Sequence, residues 1–276
     1  MPTKVTGKTL KSMKKKGEKI AAITSYDYLT TRMLDDTDID FILVGDSLGQ
    51  VMLGYGNTLP VTMDEVIHHL RAVTRAQPRA FVAADMPFMS FQAGVEEAVR
   101  NAGRLVKEGG AEGVKLEGGK KTASAIERIV EVPIPVVGHI GLTPQSLHQF
   151  GGYRVQGRDK DSARMLIEDA MKLEEAGCCC IVVEGVPWQV AEEITGSIKI
   201  PTIGIGAGKY CDGQILVIQD MLGINEGELP RFVKKYENIG ERMKSAVSEY
   251  IREVKEGRFP EMEHSYSANK HGKPRR

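Results

Sequence analysis

The chain has 276 residues and carries 37 Lys and Arg against 37 Asp and Glu, so its formal net charge is zero. A single α/β barrel is typically about 250 residues long, and a chain of this length can bury a large core. The balanced charge favours neither nucleic acid nor an anionic membrane as a partner. The sequence contains no run of eighteen apolar residues that would predict a transmembrane helix.

The charge is nevertheless uneven along the chain. Residues 1–19 hold seven lysines and one glutamate, and residues 264–276 hold four basic residues and no acid. A basic tail can act as a nucleic-acid arm, but a solvated terminus is the interpretation we favour. We therefore expect one catalytic domain over 1–260, with a short N-terminal segment, a flexible basic tail over 261–276, and no nucleic-acid partner.

The four cysteines are Cys178, Cys179, Cys180 and Cys211. Their spacing matches neither a disulfide framework nor a C-x-x-C metal site. Three of them lie in an apolar run, which is typical of small buried side chains. Together with an N-terminus that lacks an apolar leader segment, this predicts a reducing compartment, and the cytoplasm is the expected location.

A repeated unit follows along the chain: an apolar run of strand length, a polar or glycine-rich turn, and an amphipathic helical pattern. The predicted strands cover 20–27, 41–47, 81–87, 113–118, 135–141, 179–185, 201–206 and 215–222. The predicted helices include 63–75, 95–108, 123–131, 161–176 and 234–255. The strand cores are almost continuously apolar, as expected of parallel strands that are buried on both faces.

Eight strands that alternate with helices predict an α/β fold with a parallel sheet. We expect this sheet to close into a single (β/α)8 TIM barrel. A doubly wound open sheet is the alternative, but no G-x-G-x-x-G motif follows the first strand.

Polar residues stand at five successive strand ends. They are Asp46, Asp85, Glu117, His139 and Glu184. In an α/β barrel these ends meet at the C-terminal face, where active sites lie. Because a buried strand end is a costly place for a charge, the pattern indicates one shared polar site, although Asp46 alone could simply cap the next turn.

The carboxylates of Asp46, Asp85 and Glu117 would repel one another if they were held close together, so they predict a bound cation. An all-oxygen set favours Mg2+, one per subunit, with Mn2+ able to substitute. Zn2+ bound with the help of His139 is the less favoured alternative.

Four further side chains are candidates for roles at the same face. Lys115 shares a strand face with Glu117 and would bind a carboxylate or enolate oxygen, or only neutralise Glu117. His139 is a candidate for substrate binding or for a structural role, and Ser47 is a candidate donor to a substrate oxygen. Glu184 stands apart from the other carboxylates at an apolar strand end, which makes it a candidate general base.

A glycine-rich segment at 203–208 follows the seventh predicted strand. This region binds phosphate in many barrels, but the glycines are equally compatible with close packing. The adjacent histidines at 68 and 69 fall in a helical pattern, which indicates structural roles.

At these residues the chain resembles the ketopantoate hydroxymethyltransferase family over about residues 5–260. The matching segments are TSYD (24–27), LVGDSLG (43–49), TLPVT (58–62), ADMPF (84–88), VKLEGG (114–119), GHIGLTPQ (138–145), GGYRVQG (151–157), IGIGAG (203–208) and DGQ (212–214). One departure is the acidic segment 35–38, which lies away from the predicted site.

The resemblance implies a (β/α)8 barrel and a set of residue roles. Its metal positions fall on Asp46, Asp85 and Glu117, and its catalytic base falls on Glu184. Its substrate contacts fall on Asp46 and Asp85 again, and on Ser47, Lys115 and His139.

The activity that the resemblance implies is transfer of a hydroxymethyl group from 5,10-methylenetetrahydrofolate to 3-methyl-2-oxobutanoate, with Mg2+-assisted enolisation. The product would be 2-dehydropantoate (ketopantoate), in the first committed step of pantothenate and coenzyme A biosynthesis. The expected partners are the 2-oxo acid, the folate and other copies of the chain in a homodecamer. No membrane partner is expected, and no aromatic cluster in the sequence marks a folate pocket.

Two alternatives stay open from the sequence. One is a Mg2+-dependent C–C lyase or mutase of the phosphoenolpyruvate mutase/isocitrate lyase type, which usually relies on a cysteine-bearing loop that this sequence lacks. The other is a catalytically inactive barrel kept for assembly, against which the intact acidic residues argue.

Overall fold

The computed structural model describes residues 3–225 and 227–267. These residues form two compact units. The first runs to Ile218 and includes Leu229–Val233, and the second comprises Gln219–Glu228 and the chain from Lys234 onward. The predicted division into a domain over 1–260 and a tail over 261–276 stays a prediction, and residues 268–276 of that tail lie outside the described residues.

The first unit contains eight parallel strands in a closed barrel, in which each strand pairs with its neighbour in the chain and β8 returns to β1. The strands are β1 (Ile20–Thr24), β2 (Phe41–Val44), β3 (Phe81–Asp85), β4 (Gly113–Glu117), β5 (Val136–Gly141), β6 (Cys180–Glu184), β7 (Thr202–Ile205) and β8 (Gly213–Leu216). This confirms the predicted TIM barrel and excludes the open sheet.

Helices connect the strands and continue into the second unit. They are α1 (Gly7–Lys16), α2 (Tyr28–Asp35), α3 (Leu48–Val51), α4 (Met63–Arg75), α5 (Val95–Arg104), α6 (Ala123–Glu131), α7 (Leu147–Phe150), α8 (Lys160–Glu175), α9 (Trp188–Ser197), α10 (Ile218–Met221) and α11 (Ile239–Lys255). A π-helical turn, Leu105–Gly109, follows α5, and 3-10 turns cover Lys120–Thr122, Pro144–Ser146 and Met262–His264. No helix among the described residues is long and apolar enough to cross a membrane.

Apolar side chains from the strands fill the inside of the barrel. Phe41 and Phe81, on neighbouring strands, have ring centroids 5.6 Å apart. Every residue of β2, β3 and β4 is buried, which accounts for the continuous apolar runs in the sequence. These runs end at the C-terminal face, so the polar residues that follow them are held there by a rigid wall.

The lysine-rich N-terminal segment packs against the opposite end of the barrel. Helix α1 begins with a capping box formed by Thr6 and Thr9, and Leu10 is fully buried in the barrel core. Lys14 Nζ lies 2.8 and 3.0 Å from the carbonyl oxygens of Thr195 and Ile200, and 2.9 Å from Asp212 Oδ2. Its acceptors lie at or before the start of a strand, so α1 closes the N-terminal face.

The last strand begins earlier than the sequence predicts. β8 starts at Gly213 rather than at residue 215, and the chain from Ile218 forms a helical turn instead of continuing the strand. A Cβ atom at Gly213 would lie 2.5 Å from the carbonyl oxygen of Ile20 on β1. This glycine therefore allows close approach of two strands, although glycine normally indicates a turn.

All four cysteines are free and buried. Burial raises the pKa of the Cys178 thiol and of the Cys211 thiol above their ordinary values. The three adjacent cysteines enter and begin β6, where they pack as small side chains.

Candidate active site

The C-terminal face of the barrel brings the predicted polar residues together. Asp46 follows β2 by two residues, and β3, β4 and β6 end at Asp85, Glu117 and Glu184. The Cα of Asp85 pairs with that of Lys115, and the Cα of Glu117 pairs with that of His139. Strand register thus aligns four of these side chains across three neighbouring strands.

A single lysine lies among the buried acids. Lys115 Nζ is 2.7 Å from Asp85 Oδ1 and 3.9 Å from Glu117 Oε1, and its side chain is 4% exposed. Burial alone would lower the pKa of this ammonium, but Asp85, Glu117 and Asp46 outweigh burial and raise it. Lys115 therefore keeps its positive charge inside the barrel mouth.

The environment of Asp46 disfavours the ionised form of its carboxyl group. Burial, together with the charges of Asp85 and Glu117, raises the pKa of the Asp46 carboxyl well above its ordinary value. Gln145 partly opposes this, because its side-chain amide donates to Asp46 Oδ2 at 2.9 Å. The backbone N–H of Asp46 in turn donates to Asp85 Oδ2 at 2.9 Å. A cation beside Asp46 would relieve the like-charge repulsion directly.

His139 links two carboxylates. Its Nδ1 lies 3.4 Å from Glu117 Oε1, and its Nε2 lies 3.3 Å from Glu184 Oε2. Burial and the charge of Lys115 lower the pKa of the imidazole, but the two carboxylates outweigh them and raise it to about 9. Burial is the largest single influence on the Glu117 carboxyl and raises its pKa, but the interactions with His139, the charge of Lys115 and the backbone N–H of Gln145 together outweigh it and lower the pKa.

Glu184 is the most accessible acid of the set, with its side chain 18% exposed. It is brought near His139 by a tight approach between β5 and β6. Gly141 ends β5 at φ +95°, and a Cβ there would lie 2.2 Å from the carbonyl oxygen of Glu184. Only glycine fits this position, so the close spacing of the two strand ends depends on it.

Two residues that the sequence analysis did not assign complete the polar network. Gln145 donates its side-chain amide to Asp46 and to the Met86 carbonyl, and its backbone N–H donates to Glu117 Oε2 at 2.9 Å. Tyr26 is buried, and its hydroxyl lies 2.8 Å from Ser47 Oγ. Both lie in the segments TSYD and GHIGLTPQ quoted above, so the signal was present. Tyr26 follows β1 by two residues but carries no charge, and Gln145 lies in a turn beyond β5.

Some atoms of this network lack hydrogen-bond partners. Among the described residues, buried Asp85 Oδ1 and Glu117 Oε1 accept no hydrogen bond of normal geometry, although Lys115 lies nearby. No three His, Cys, Asp or Glu side chains within residues 3–225 and 227–267 gather closely enough to hold a metal by themselves. The arrangement therefore fits a cation that takes one or two carboxylates and completes its coordination with water and substrate, as Mg2+ does.

Two other predicted features have packing roles in the structure. A Cβ at Gly208 in the glycine-rich segment would lie 2.3 Å from Trp188 Cβ, so this glycine allows close packing. His69 contacts the backbone oxygen of Tyr26 through Nδ1 at 2.8 Å, which positions the tyrosine that contacts Ser47.

A cavity of about 870 Å3 opens beside the acid cluster. Glu117, Thr143 and Gln145 line its inner end, and the loops after β3, β4 and β5 form its walls together with α6 and α8. Pockets for drug-sized ligands have volumes of roughly 300–1,000 Å3, so this cavity has room for a ligand much larger than a five-carbon acid.

A closed parallel barrel with buried acids, a lysine and a histidine at the C-terminal ends of its strands defines an α/β-barrel enzyme. The family model for ketopantoate hydroxymethyltransferase matches residues 4–262, and the chain belongs to this family. It is a transferase that adds a hydroxymethyl group to 3-methyl-2-oxobutanoate and so makes ketopantoate.

Curated relatives match almost the whole chain. The 3-methyl-2-oxobutanoate hydroxymethyltransferase of Thermoanaerobacter sp. (strain X514) is 55% identical over 270 residues, which is 98% of each chain. The enzyme of the same name from Geobacter metallireducens is 57% identical over 94% of this chain and 97% of its own. That from Clostridioides difficile is 54% identical over 96% and 97%.

Solved structures with similar folds are much more distant in sequence. A phosphonopyruvate hydrolase in complex with oxalate and Mg2+ has a TM-score of 0.58 at 13% identity, covering 96% of this chain and 92% of that chain. A 2,3-dimethylmalate lyase of the PEP mutase/isocitrate lyase superfamily has a TM-score of 0.58 at 13% identity, covering 96% and 91%. These similarities show the barrel fold alone, so they do not support the lyase alternative.

Proposed function

We propose that Glu184 removes the C3 proton of 3-methyl-2-oxobutanoate and that the resulting enolate carbon attacks the one-carbon unit of 5,10-methylenetetrahydrofolate. In the overall balance one water supplies the hydroxyl oxygen, and both bonds between the methylene carbon and the folate nitrogens are broken. The two nitrogens gain one proton from C3 and one from the water, and tetrahydrofolate leaves. The observation that carries the proposal is the buried acid cluster around Lys115, with Glu184 facing it across His139.

Asp46 and Asp85 are the proposed direct ligands of one Mg2+ per subunit, with Mn2+ able to substitute, and Glu117 completes the acidic set. A bound Mg2+ supplies Lewis-acid stabilisation of the developing charge on the keto oxygen. The buried oxygens of Asp85 and Glu117 that accept no hydrogen bond of normal geometry and the raised pKa of Asp46 support a cation here.

The remaining side chains have proposed roles in binding and orientation. Lys115 keeps its charge and offsets the negative charge of the bound acid. Ser47 donates to a substrate oxygen and is held in place by Tyr26. His139 lies within ion-pair distance of Glu117 and Glu184 at opposite ring nitrogens, and its proposed role is to orient the base carboxylate.

We also propose a cytoplasmic homo-oligomer, with the homodecamer as the expected size. Four free buried thiols support a reducing compartment. Large apolar side chains exposed on α11, among them Met243, Val247 and Tyr250, support association with another chain. Light scattering after size-exclusion chromatography measures the assembly, and a monomer at micromolar concentration would contradict it.

The test of the base uses exchange of the C3 proton of 3-methyl-2-oxobutanoate with D2O, followed by NMR with Mg2+ present and folate absent. Glu184→Gln keeps the shape but removes basicity, and loss of a general base costs roughly 10²–10⁴-fold in rate. We expect the wild-type protein to exchange the proton and the variant to be slower by that factor. Glu192→Gln, on the surface of α9, is the matched control and should exchange normally. A wild-type rate in Glu184→Gln would transfer the role to another group.

A further inference from the structure

We propose that the cavity beside Gln145 is the binding site of the folate donor. Its glutamate tail would lie against Lys120 and Lys121, and its ring system would lie against the apolar wall. This inference rests on the proposed function, because it assumes a reduced folate as the source of the one-carbon unit. It adds the place where that second substrate binds.

The position of the cavity meets the first requirement of the reaction. Its inner end is lined by Glu117 and Gln145, which also bind the remainder of the acid cluster. A donor in this cavity would therefore bring its reactive end to the oxo acid, while the rest of the molecule extends toward solvent. Transfer needs the two reacting carbons to be held in near contact.

The walls suit a flat, partly apolar ligand. Phe88 and Phe91 from the loop after β3, Phe150 at the end of α7, and Met165 on α8 line the cavity. Phe88 is 39% exposed and Met165 is 50% exposed. Exposed apolar side chains that line a concave surface are typical of ligand sites. A pterin and an aminobenzoyl ring would cover them by stacking.

The opening of the cavity carries two unpaired cations. Lys120 and Lys121 begin the 3-10 turn that follows β4, and both are exposed. Among the described residues, neither ammonium lies within ion-pair distance of a carboxylate. The backbone N–H of Lys120 donates to Asp169 Oδ1 at 2.8 Å, which fixes the start of this turn. The paired lysines match the glutamate carboxylates at the end of a folate that is opposite to its reactive methylene group.

The first experiment measures transfer and exchange side by side in Lys120→Ala/Lys121→Ala. Exposed ion pairs contribute little each, so we expect the KM for 5,10-methylenetetrahydrofolate to rise roughly three- to tenfold. The KM for 3-methyl-2-oxobutanoate and its C3 exchange without folate should keep their wild-type values. Lys15→Ala/Lys16→Ala, an adjacent exposed pair on α1, is the matched control and should change nothing.

The second experiment fills the cavity. Ser124 is exposed on α6 and lines the cavity, whereas Arg128 is exposed one turn later on the same helix and does not. Ser124→Trp should reduce the binding of tetrahydrofolate in isothermal titration calorimetry at least tenfold, while Arg128→Trp should leave it unchanged. Both variants should retain C3 exchange.

The outcomes separate this inference from the proposed function. An unchanged donor KM in the double-lysine variant, together with unchanged tetrahydrofolate binding in Ser124→Trp, would overturn the folate site. A loss of C3 exchange in Ser124→Trp would also overturn it, because the cavity would then serve the oxo acid. Absence of exchange in the wild-type protein would instead contradict the proposed base chemistry. The tetrahydrofolate affinities of Ser124→Trp and Arg128→Trp would still show whether the cavity binds the folate.

Discussion

The two ends of the barrel hold their lysines in different ways. At the N-terminal face, Lys14 has three acceptors within 3.0 Å, namely Asp212 and two backbone carbonyls. Lys4 likewise has three, namely Glu112 and two carbonyls. At the C-terminal face, Lys115 has one carboxylate oxygen within 3.0 Å, that of Asp85, and Glu117 Oε1 accepts no hydrogen bond of normal geometry. A lysine whose hydrogen-bond acceptors are all in place has a structural role here. A lysine among carboxylate oxygens that still lack hydrogen bonds lies where a ligand would bind.

The largest expected effect is a loss of turnover on substitution of Asp85 at the C-terminal face. Asp85→Asn removes the nearest partner of Lys115 and one proposed Mg2+ ligand. Lewis-acid stabilisation contributes several kcal/mol, so turnover should fall roughly 10³-fold or more. The measurements are steady-state transfer with added Mg2+ and Mn2+ binding by electron paramagnetic resonance. Circular dichroism should be unchanged, and wild-type turnover that survives EDTA treatment would contradict the metal site.

The corresponding change at the N-terminal face should affect stability alone. Lys14→Met leaves Asp212 without its cation, and breaking a largely buried pair from one side costs about 3 kcal/mol. Urea unfolding should register this loss, while kcat per folded molecule stays at the wild-type value. Lys15→Met, on the same helix but exposed, is the control. A fall in kcat without a fall in the free energy of unfolding would remove the distinction between the two faces.

Acid–base behaviour should also distinguish the faces in metal-free protein. The folded pKa of His139 is raised to about 9, above the ordinary value of about 6.5. A raised pKa contributes stability that is fully present below pH about 6.5 and is lost as the pH rises through about 9. The free energy of unfolding should therefore fall by at most about 3 kcal/mol over that window. Denaturation of His139→Gln should lack this slope, and an equal slope in both proteins would assign it to another group.

The smallest effect concerns Gln145. Gln145→Met keeps the volume but leaves Asp46 Oδ2 and the Met86 carbonyl without this donor. Hydrogen bonds to charged groups are worth about 1.5–3 kcal/mol, so kcat/KM should fall at least roughly tenfold. Gln92→Met removes the donor to the Gln145 side-chain oxygen and the acceptor of the Phe91 N–H but leaves the bond to Asp46, so its kcat/KM should fall less. Equal losses in the two variants would mean that the bond to Asp46 has no special importance.

Much of the barrel could be predicted because strands buried on both faces give unbroken apolar runs. The helices over Met63–Arg75 and Ala123–Glu131 match their predicted bounds, since each has a clear apolar stripe. β8 was placed two residues late because Gly213 serves close packing. Helix α1 was missed because its lysines resemble a solvated segment, whereas Lys14 contacts residues near 200 and 212.

The candidate site was predicted where chemistry coincides with a strand end. Asp46, Asp85, Glu117, His139 and Glu184 meet at one face because strand ends converge in any such barrel. Gln145 was not assigned because it lies in a 3-10 turn beyond β5, where only the fold reveals its contacts. The aromatic wall of the cavity was not foreseen either, because its phenylalanines come from loops more than fifty residues apart in the sequence.

The reactivity of the buried cysteines can be used to measure how often the barrel opens. Thiols react as thiolates, and burial raises the pKa of Cys178 and Cys211, so a thiol reagent should modify neither in the intact barrel. Three of the thiols enter β6, the strand that ends at Glu184. The rate at which a chromogenic disulfide reagent labels Cys178 would measure how often the barrel wall around β6 opens, without any substrate being present.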